Sequence, residues 1–453
     1  MNLFGMSEAT KVQLLRRLAS QGHAKEARAP GDKMLPLIDA TRYEEIGLIK
    51  RTGSVLGIAN PYFKVHEGIA GATTMIDGRR YLNFASYNYC GLNGDPRVSL
   101  AAKEAIDRYG VSTSASRLVA GERPLHRELE QEIAQVYEAE DCITMVSGHA
   151  TNVTVIGHLL GEGDVVLHDA LAHNSVVQGA ILSGARRIAF PHNDIDALNR
   201  LLTQTRPRAK RALVVVEGHY SMDGDVPDLA KLLEVVRRHN AHLMVDEAHS
   251  LGVLGRTGRG VFEHCGVAPR EVDLWMGTLS KTLSSCGGYI AGSTALIDYL
   301  RFTAPGFVYS VGMPSPITAA ALTALRLMRA EPERVATLQA NAALFLAEAR
   351  AAGLDTGASI GAAIVPVILG SSIRAVRVAD LLSQRGVNVQ PVIYPAVPER
   401  AARLRYFISS LHTPEQIREA VRLTADAVQQ VEAAKISLVD VALALRAGSY
   451  DAD

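Results

Sequence analysis

The sequence predicts an α/β fold, with a large domain built on a mostly parallel seven-stranded sheet and a smaller α+β C-terminal domain. Three observations predict it. Seven short runs between residues 143 and 292 are rich in apolar and β-branched side chains, and each is bounded by Gly, Asp or Pro. Helical patterns lie between most of them, as over 228–240. Runs such as Leu213 to Val216 are apolar throughout, which argues for burial on both faces of the sheet.

The elements follow in order. Residues 1 to about 30 read as an amphipathic arm. Val12, Leu14, Leu15 and Leu18 fall on one face and Arg16 and Arg17 on the other. Such an arm packs on the body or docks on a partner protein. From about residue 75, MIDGRRYLNFAS reads as a hairpin around Asp77-Gly78. A helix is expected from Asp95-Pro96 to Tyr109. The seven runs are 143–147, 164–169, 186–190, 212–218, 242–248, 274–278 and 288–292. Past Pro305 the pattern changes to an Ala/Leu-rich helical region over about 315–352. Short strands, a helix near 374–385, a further strand at RLRYFIS and a helix after Thr413 complete the chain, with an Ala-rich tail beyond about 434. The expected division is an arm and small-domain segment over 1–95, a cofactor-binding domain over 96–305 and a small domain over 306–453.

Length and charge bound the function. The 453 residues suit two domains. Lys+Arg and Asp+Glu balance at 47 each, so the basic excess of a nucleic-acid binder is missing. No apolar run reaches the roughly 20 residues of a membrane span. Charges run through the first apolar stretch, so it does not read as a signal peptide. Cys90, Cys142, Cys265 and Cys286 are scattered without a CxxC pair. Neither a metal site nor a disulfide framework is expected, and a reducing cytoplasm is.

The chemistry sits at the ends of the runs. In open α/β sheets, ligands gather at the carboxyl ends of strands. Lys281 follows Thr278-Leu279-Ser280 there, where its amine can condense with an aldehyde and the Thr278 and Ser280 hydroxyls can hold a phosphate. Asp246 ends another strand and can keep a proton on a pyridine nitrogen, with His249 three residues on, within reach of a phenolic oxygen. Gly148 and His149 open a helix whose free N–H groups suit a phosphate. His173 offers a flat ring to stack on. Ser221 lies in a further loop at a strand end. Arg405, in the small domain, suits bidentate capture of a carboxylate. Each residue alone has an ordinary structural reading: a surface lysine, an Asp N-cap, a turn, a core histidine, a surface arginine. Their succession at consecutive strand ends points instead to pyridoxal 5'-phosphate (PLP).

These stretches resemble the α-oxoamine synthases of PLP fold type I, such as aminooxononanoate synthase, aminolevulinate synthase, glycine C-acetyltransferase and serine palmitoyltransferase. The resemblance runs from about 60 to 430. It rests on Asn88-Tyr89-Cys90-Gly91-Leu92, His192-Asn193-Asp194, Ser221-Met222-Asp223-Gly224-Asp225, Asp246 through Val253, Gly258-Arg259-Gly260 and Thr278 to Lys281. The resemblance implies a PLP transferase fold and a Schiff-base lysine at Lys281. It makes Asp246 the partner of the ring nitrogen, His249 the partner of the phenolate and His173 the stacking ring. Gly148, His149, Ser221 and Thr278 become cofactor contacts, and Arg405 and Asn88 substrate contacts.

The implied reaction is decarboxylative condensation of a small amino acid with an acyl thioester, carried by coenzyme A or a carrier protein. It gives an α-amino ketone, CO₂ and free thiol, in a homodimer. The alternatives are a fold type I aminotransferase or aldolase, or a non-catalytic partner subunit. This chain departs from the family at four places. His149 stands for Phe or Tyr. Ser112 to Arg117 stands for a Gly-rich run. Val311 and Gly312 stand where the neighbouring subunit's phosphate-binding hydroxyl is usual, with Ser310 adjacent. Ala396 stands for a Thr near the acyl donor.

Overall fold

The computed structural model describes residues 37–39, 43–44, 47 and 57–434. The expected N-terminal helix and the Ala-rich tail beyond 434 lie outside the described residues. Contacts gather the chain into two compact units. The first comprises His66–Val367 and Arg405–Val421. The second comprises Ile368–Leu404, the residues before His66 and those from Arg422 on. The expected boundaries at 95/96 and 305/306 fall inside the first unit, because the helix Ser315–Ala330 packs on the helices Pro96–Tyr109 and Pro124–Tyr137.

In the first unit, β1 (His66–Glu67), β2 (Thr73–Ile76) and β3 (Arg79–Asn83) form an antiparallel meander. Ile76 pairs with Arg79, which leaves Asp77-Gly78 as a two-residue turn. Their φ values of 49° and 71° are left-handed, as the hairpin turn requires, and Asp and Gly tolerate that region well. The Pro96–Tyr109 helix starts where the sequence placed it. The Asp95 side chain accepts from Arg97 N at 3.0 Å, and Pro at the first position loses no hydrogen bond.

All seven expected strands form one sheet. They are β4 (Asp141–Met145), β5 (Val165–Asp169), β6 (Arg186–Phe190), β7 (Ala212–Glu217), β8 (His242–Asp246), β9 (Leu274–Thr278) and β10 (Gly288–Gly292). Their order is β4-β10-β9-β8-β7-β5-β6. Only β10 runs antiparallel, against both β4 and β9. All six residues of β7 are buried, as an apolar run in mid-sheet requires. Each such Val or Leu contributes roughly 1.5–3 kcal/mol by leaving water. One face of the sheet is covered by the helices Gly148–Leu159 and Asn174–Ser183, whose Val155, Ile156, Val176 and Ala180 join Val166, Val215, Met244 and Met276 in one core. Gly179 lets those helices touch, since a Cβ there would lie 2.8 Å from the Asn152 carbonyl oxygen.

The Ala/Leu-rich region is two helices, Ser315–Ala330 and Glu333–Ala351. Pro332 splits it, because Pro lacks the N–H of a helix interior and pushes the residue before it out of helical geometry. The second unit contains the helix Ser372–Gln384, with Ala375, Val378, Ala379 and Leu382 buried, and two short strands, Val387–Asn388 and Gln390–Val392.

Candidate active site

The carboxyl ends of β4, β5, β7, β8 and β9 bring the expected residues to one edge of the sheet. Glu217 ends β7 directly opposite Asp246 at the end of β8. Asp246 is buried. Its Oδ2 accepts from Asn152 Nδ2 at 2.9 Å and its Oδ1 from Ala248 N at 3.0 Å. Asn152 also donates to Ser175 Oγ at 2.9 Å, and Ser175 Oγ lies 2.8 Å from His173 Nδ1. The Ser175 N–H donates to the same Nδ1 at 3.3 Å, so this nitrogen is the acceptor and the ring proton belongs on Nε2. A hydrogen-bonded chain thus runs from Asp246 through Asn152 and Ser175 to His173. The His173 ring is exposed and meets the His149 ring edge-on, with centroids 6.1 Å apart.

Lys281 Nζ sits 5.6 Å from the centre of the Tyr87 ring. Burial brings its amine down from 10.5 to about 8, against the opposing pull of Asp246 and Glu217. Burial, and then the charge of Asp246, pushes the Glu217 carboxyl up to about 8. Glu217 Oε2 accepts from Ser221 N at 3.3 Å, while Oε1 is buried without a partner. His249 is buried, its Nδ1 hydrogen-bonded to the Tyr89 hydroxyl at 2.8 Å and its ring parallel to Phe407. Burial holds it well below the usual histidine range, followed by the charges of Lys281 and Arg405. Arg405 donates from Nη1 to the Ser221 carbonyl at 3.1 Å, its guanidinium lies 4.6 Å from the Phe407 ring centre, and its Nε is buried without a partner.

A second cluster lies at the start of the Gly148–Leu159 helix. Ser147 caps it, accepting from Ala150 N through Oγ at 3.4 Å and from Thr151 N through its carbonyl at 2.9 Å. Among the described residues, nothing accepts from the N–H groups of Gly148 and His149, the orphan donors of a helix start. Thr278 presses on that start: a Cβ on Gly148 would lie 2.8 Å from Thr278 Oγ1. Thr278 Oγ1 and Ser280 Oγ are 2.8 Å apart. Thr278 Oγ1 also donates to the Gly287 carbonyl at 3.0 Å. Two free N–H groups beside two hydroxyls suit a phosphate. Asn88 behaves differently. It is buried, and its amide is used by the backbone, donating to the Ala70 carbonyl between β1 and β2 at 2.8 Å and to the Asn93 carbonyl at 3.2 Å, and accepting from Asn93 N at 3.0 Å.

The residues therefore fit PLP: free N–H groups at a helix start, a half-buried amine, a carboxylate held by two donors, and buried atoms on Glu217 and Arg405 without partners. Sequence reasoning missed Asn152 and left Glu217 without a role. Asn152 lies one helical turn after Gly148, on the same face, and that spacing was the available signal. Among the described residues, no group of three His, Cys, Asp or Glu is placed to hold a metal, and no helix is long and apolar enough to cross a membrane.

Fold and site define a PLP-dependent enzyme of fold type I. The sequence profile of the family Aminotransferase class I and II matches residues 79–423. An 8-amino-7-oxononanoate synthase of Symbiobacterium thermophilum is 39% identical over 77% of this chain and 88% of its own length. One of Thermosipho melanesiensis is 40% identical over 79% and 90%. The structure of Sphingomonas wittichii serine palmitoyltransferase superposes with a TM-score of 0.83 at 30% identity, covering 89% of this chain and all of the other. The chain belongs to the aminotransferase class I and II family and, within it, to the α-oxoamine synthases. It is a PLP-dependent acyltransferase that condenses an amino acid with an acyl thioester and releases CO₂.

Proposed function

We propose that a small amino acid and an acyl thioester, carried by coenzyme A or a carrier protein, meet at Lys281. The chain of bonds from Asp246 to His173, beside a half-buried amine, carries this reading. When bound, PLP supplies an aldehyde that links to an amine and an electron-poor ring that stabilises negative charge at the attached Cα. Gly148, His149, Thr278 and Ser280 hold its phosphate. Asp246, fixed by Asn152 and Ala248, keeps a proton on the ring nitrogen. His173 would stack on that ring, with His249 and Ser221 as further contacts. The Arg405 guanidinium takes the amino-acid carboxylate and so turns the Cα–H toward Lys281 Nζ. Neutral Lys281 removes that proton. Asn88 shapes the loop that carries Tyr87 and Tyr89. Every one of these residues except Arg405, Asn88 and its neighbours Tyr87 and Tyr89 lies within 96–305.

The depressed lysine carries a pH signature. Capture of PLP by the apoprotein needs neutral Nζ, so its rate rises with pH, reaches half its maximum near pH 8 and levels off above it. Stopped-flow absorbance measures it. A rate still climbing toward pH 10 contradicts the burial of this amine.

Exposed Leu118, Val119, Tyr309 and Val311 lie on two segments joined by the Gly312 N–H to Ala115 carbonyl bond at 3.0 Å. Such an apolar face suits a second copy of the chain. The homodimer reading expects a dimer in sedimentation, and a monomer refutes it. The substrate reading is tested by offering glycine, alanine and serine in turn with coenzyme A and carrier-protein thioesters. One amino acid is expected to release free thiol, and none doing so overturns it.

A further inference from the structure

We propose that His192 is a positioning residue for amino-acid capture, acting through the 218–225 loop on Arg405. This rests on the reading of Arg405 as the carboxylate receiver. His192 lies just beyond β6 and has no place in the cofactor cluster. Its Nδ1 lies 2.9 Å from Asp169 Oδ1, at the end of β5, and its Nε2 lies 2.8 Å from Asp225 Oδ2. A carboxylate only accepts, so both ring nitrogens must donate and the ring is an imidazolium between two anions. Burial works against that charge. The two carboxylates outweigh it and hold the ring at about 10. Asn193 doubles the clamp, its N–H donating to Asp169 Oδ2 at 2.9 Å and its Nδ2 to Asp225 Oδ2 at 2.8 Å.

The clamp closes a loop that ends at the site. With Asp225 held, its carbonyl accepts from Tyr220 N at 3.0 Å and from His219 Nδ1 at 3.1 Å. The Tyr220 ring stands edge-on to His192, with centroids 4.5 Å apart. Ser221 follows, its N–H on Glu217 and its carbonyl accepting from Arg405 Nη1. Nη1 also meets Met222 Sδ, in the same loop, at 3.5 Å. These two contacts aim the guanidinium from one side and leave its other nitrogens for an incoming carboxylate. Loosening Asp225 frees the carbonyl and lets Arg405 swing, while Asp246, at the end of β8, and Lys281, in the loop after β9, stay in place.

The experiment is a double-mutant cycle on the PLP-loaded enzyme with His192→Gln and Arg405→Ala, reading KM for the amino acid, KM for the thioester, kcat and PLP occupancy. Losing a charge-assisted bond predicts an amino-acid KM raised about tenfold by His192→Gln, with thioester KM, kcat and occupancy within about threefold of wild type. In the Arg405→Ala background the same change adds nothing further to the amino-acid KM. If Arg405→Ala leaves that KM unchanged, the carboxylate reading itself fails. If Arg405→Ala raises it and His192→Gln does not, or if the two effects multiply, the positioning role is overturned while the carboxylate reading stands. A His192→Gln enzyme impaired equally in both KM values and in occupancy marks a merely structural residue and also overturns the proposal. Should that variant fail to fold, Asp225→Asn removes the same ion pair at constant volume, and it carries the same expected and opposing readings.

Discussion

Lys281→Ala abolishes turnover and the visible absorbance of lysine-linked PLP, while the protein folds and still binds the cofactor weakly through the Gly148 helix start. Two functions end with one atom. On the proposed reading, Nζ holds the cofactor covalently and removes the Cα proton. General-base removal alone typically costs 10²–10⁴-fold in rate, and losing the covalent anchor adds to that. The side chain is half-buried beside the Tyr87 ring, and truncation leaves a polar, open site rather than a core cavity, so the fold survives. Absorbance and single-turnover kinetics of the variant check this. An unchanged spectrum contradicts the assignment of Lys281.

Asp246→Asn separates binding from chemistry. The amide keeps the volume of the carboxylate and can still accept from Ala248 N, so PLP remains bound. A neutral amide no longer favours a protonated ring nitrogen, and the ring becomes a poor acceptor of negative charge. Exchange of the amino-acid Cα–H with solvent deuterium is therefore expected to fall by about 10²-fold or more, about the scale of losing one electrostatic contact to a developing charge. NMR of the recovered amino acid measures it. Exchange at the wild-type rate contradicts the role of Asp246. The same substitution disturbs the bond from Asn152, so a smaller secondary effect on His173 is expected.

Much of this site was legible in the sequence because its residues sit at strand ends, and strand ends are marked by composition. The apolar run of β7 stops at Glu217, that of β8 at Asp246 and that of β9 at Thr278. The antiparallel direction of β10 was readable in principle. Only nine residues separate Thr278 from Gly288, too few for the crossover that a parallel neighbour needs. What the sequence hid were contacts set by tertiary distance. Nothing local says that Asn152 on one helix reaches Asp246 on a strand 94 residues later, or that Ser221 offers its carbonyl to Arg405 across 184. Asn88 illustrates the reverse. A polar residue in a distinctive motif reads as a ligand contact, yet its amide bonds the backbone at Ala70 and Asn93. The split at Pro332 shows composition masking a boundary that one residue sets.

The measurement that bears most directly on the central claim is product stoichiometry in the purified, PLP-loaded enzyme, given one amino acid and then an acyl thioester. The account predicts no CO₂ from the amino acid alone, and CO₂ and free thiol in equal amounts once the thioester is added. Conversion of the cofactor to its amine form by the amino acid alone, without CO₂ or thiol, would contradict it and make the chain an aminotransferase.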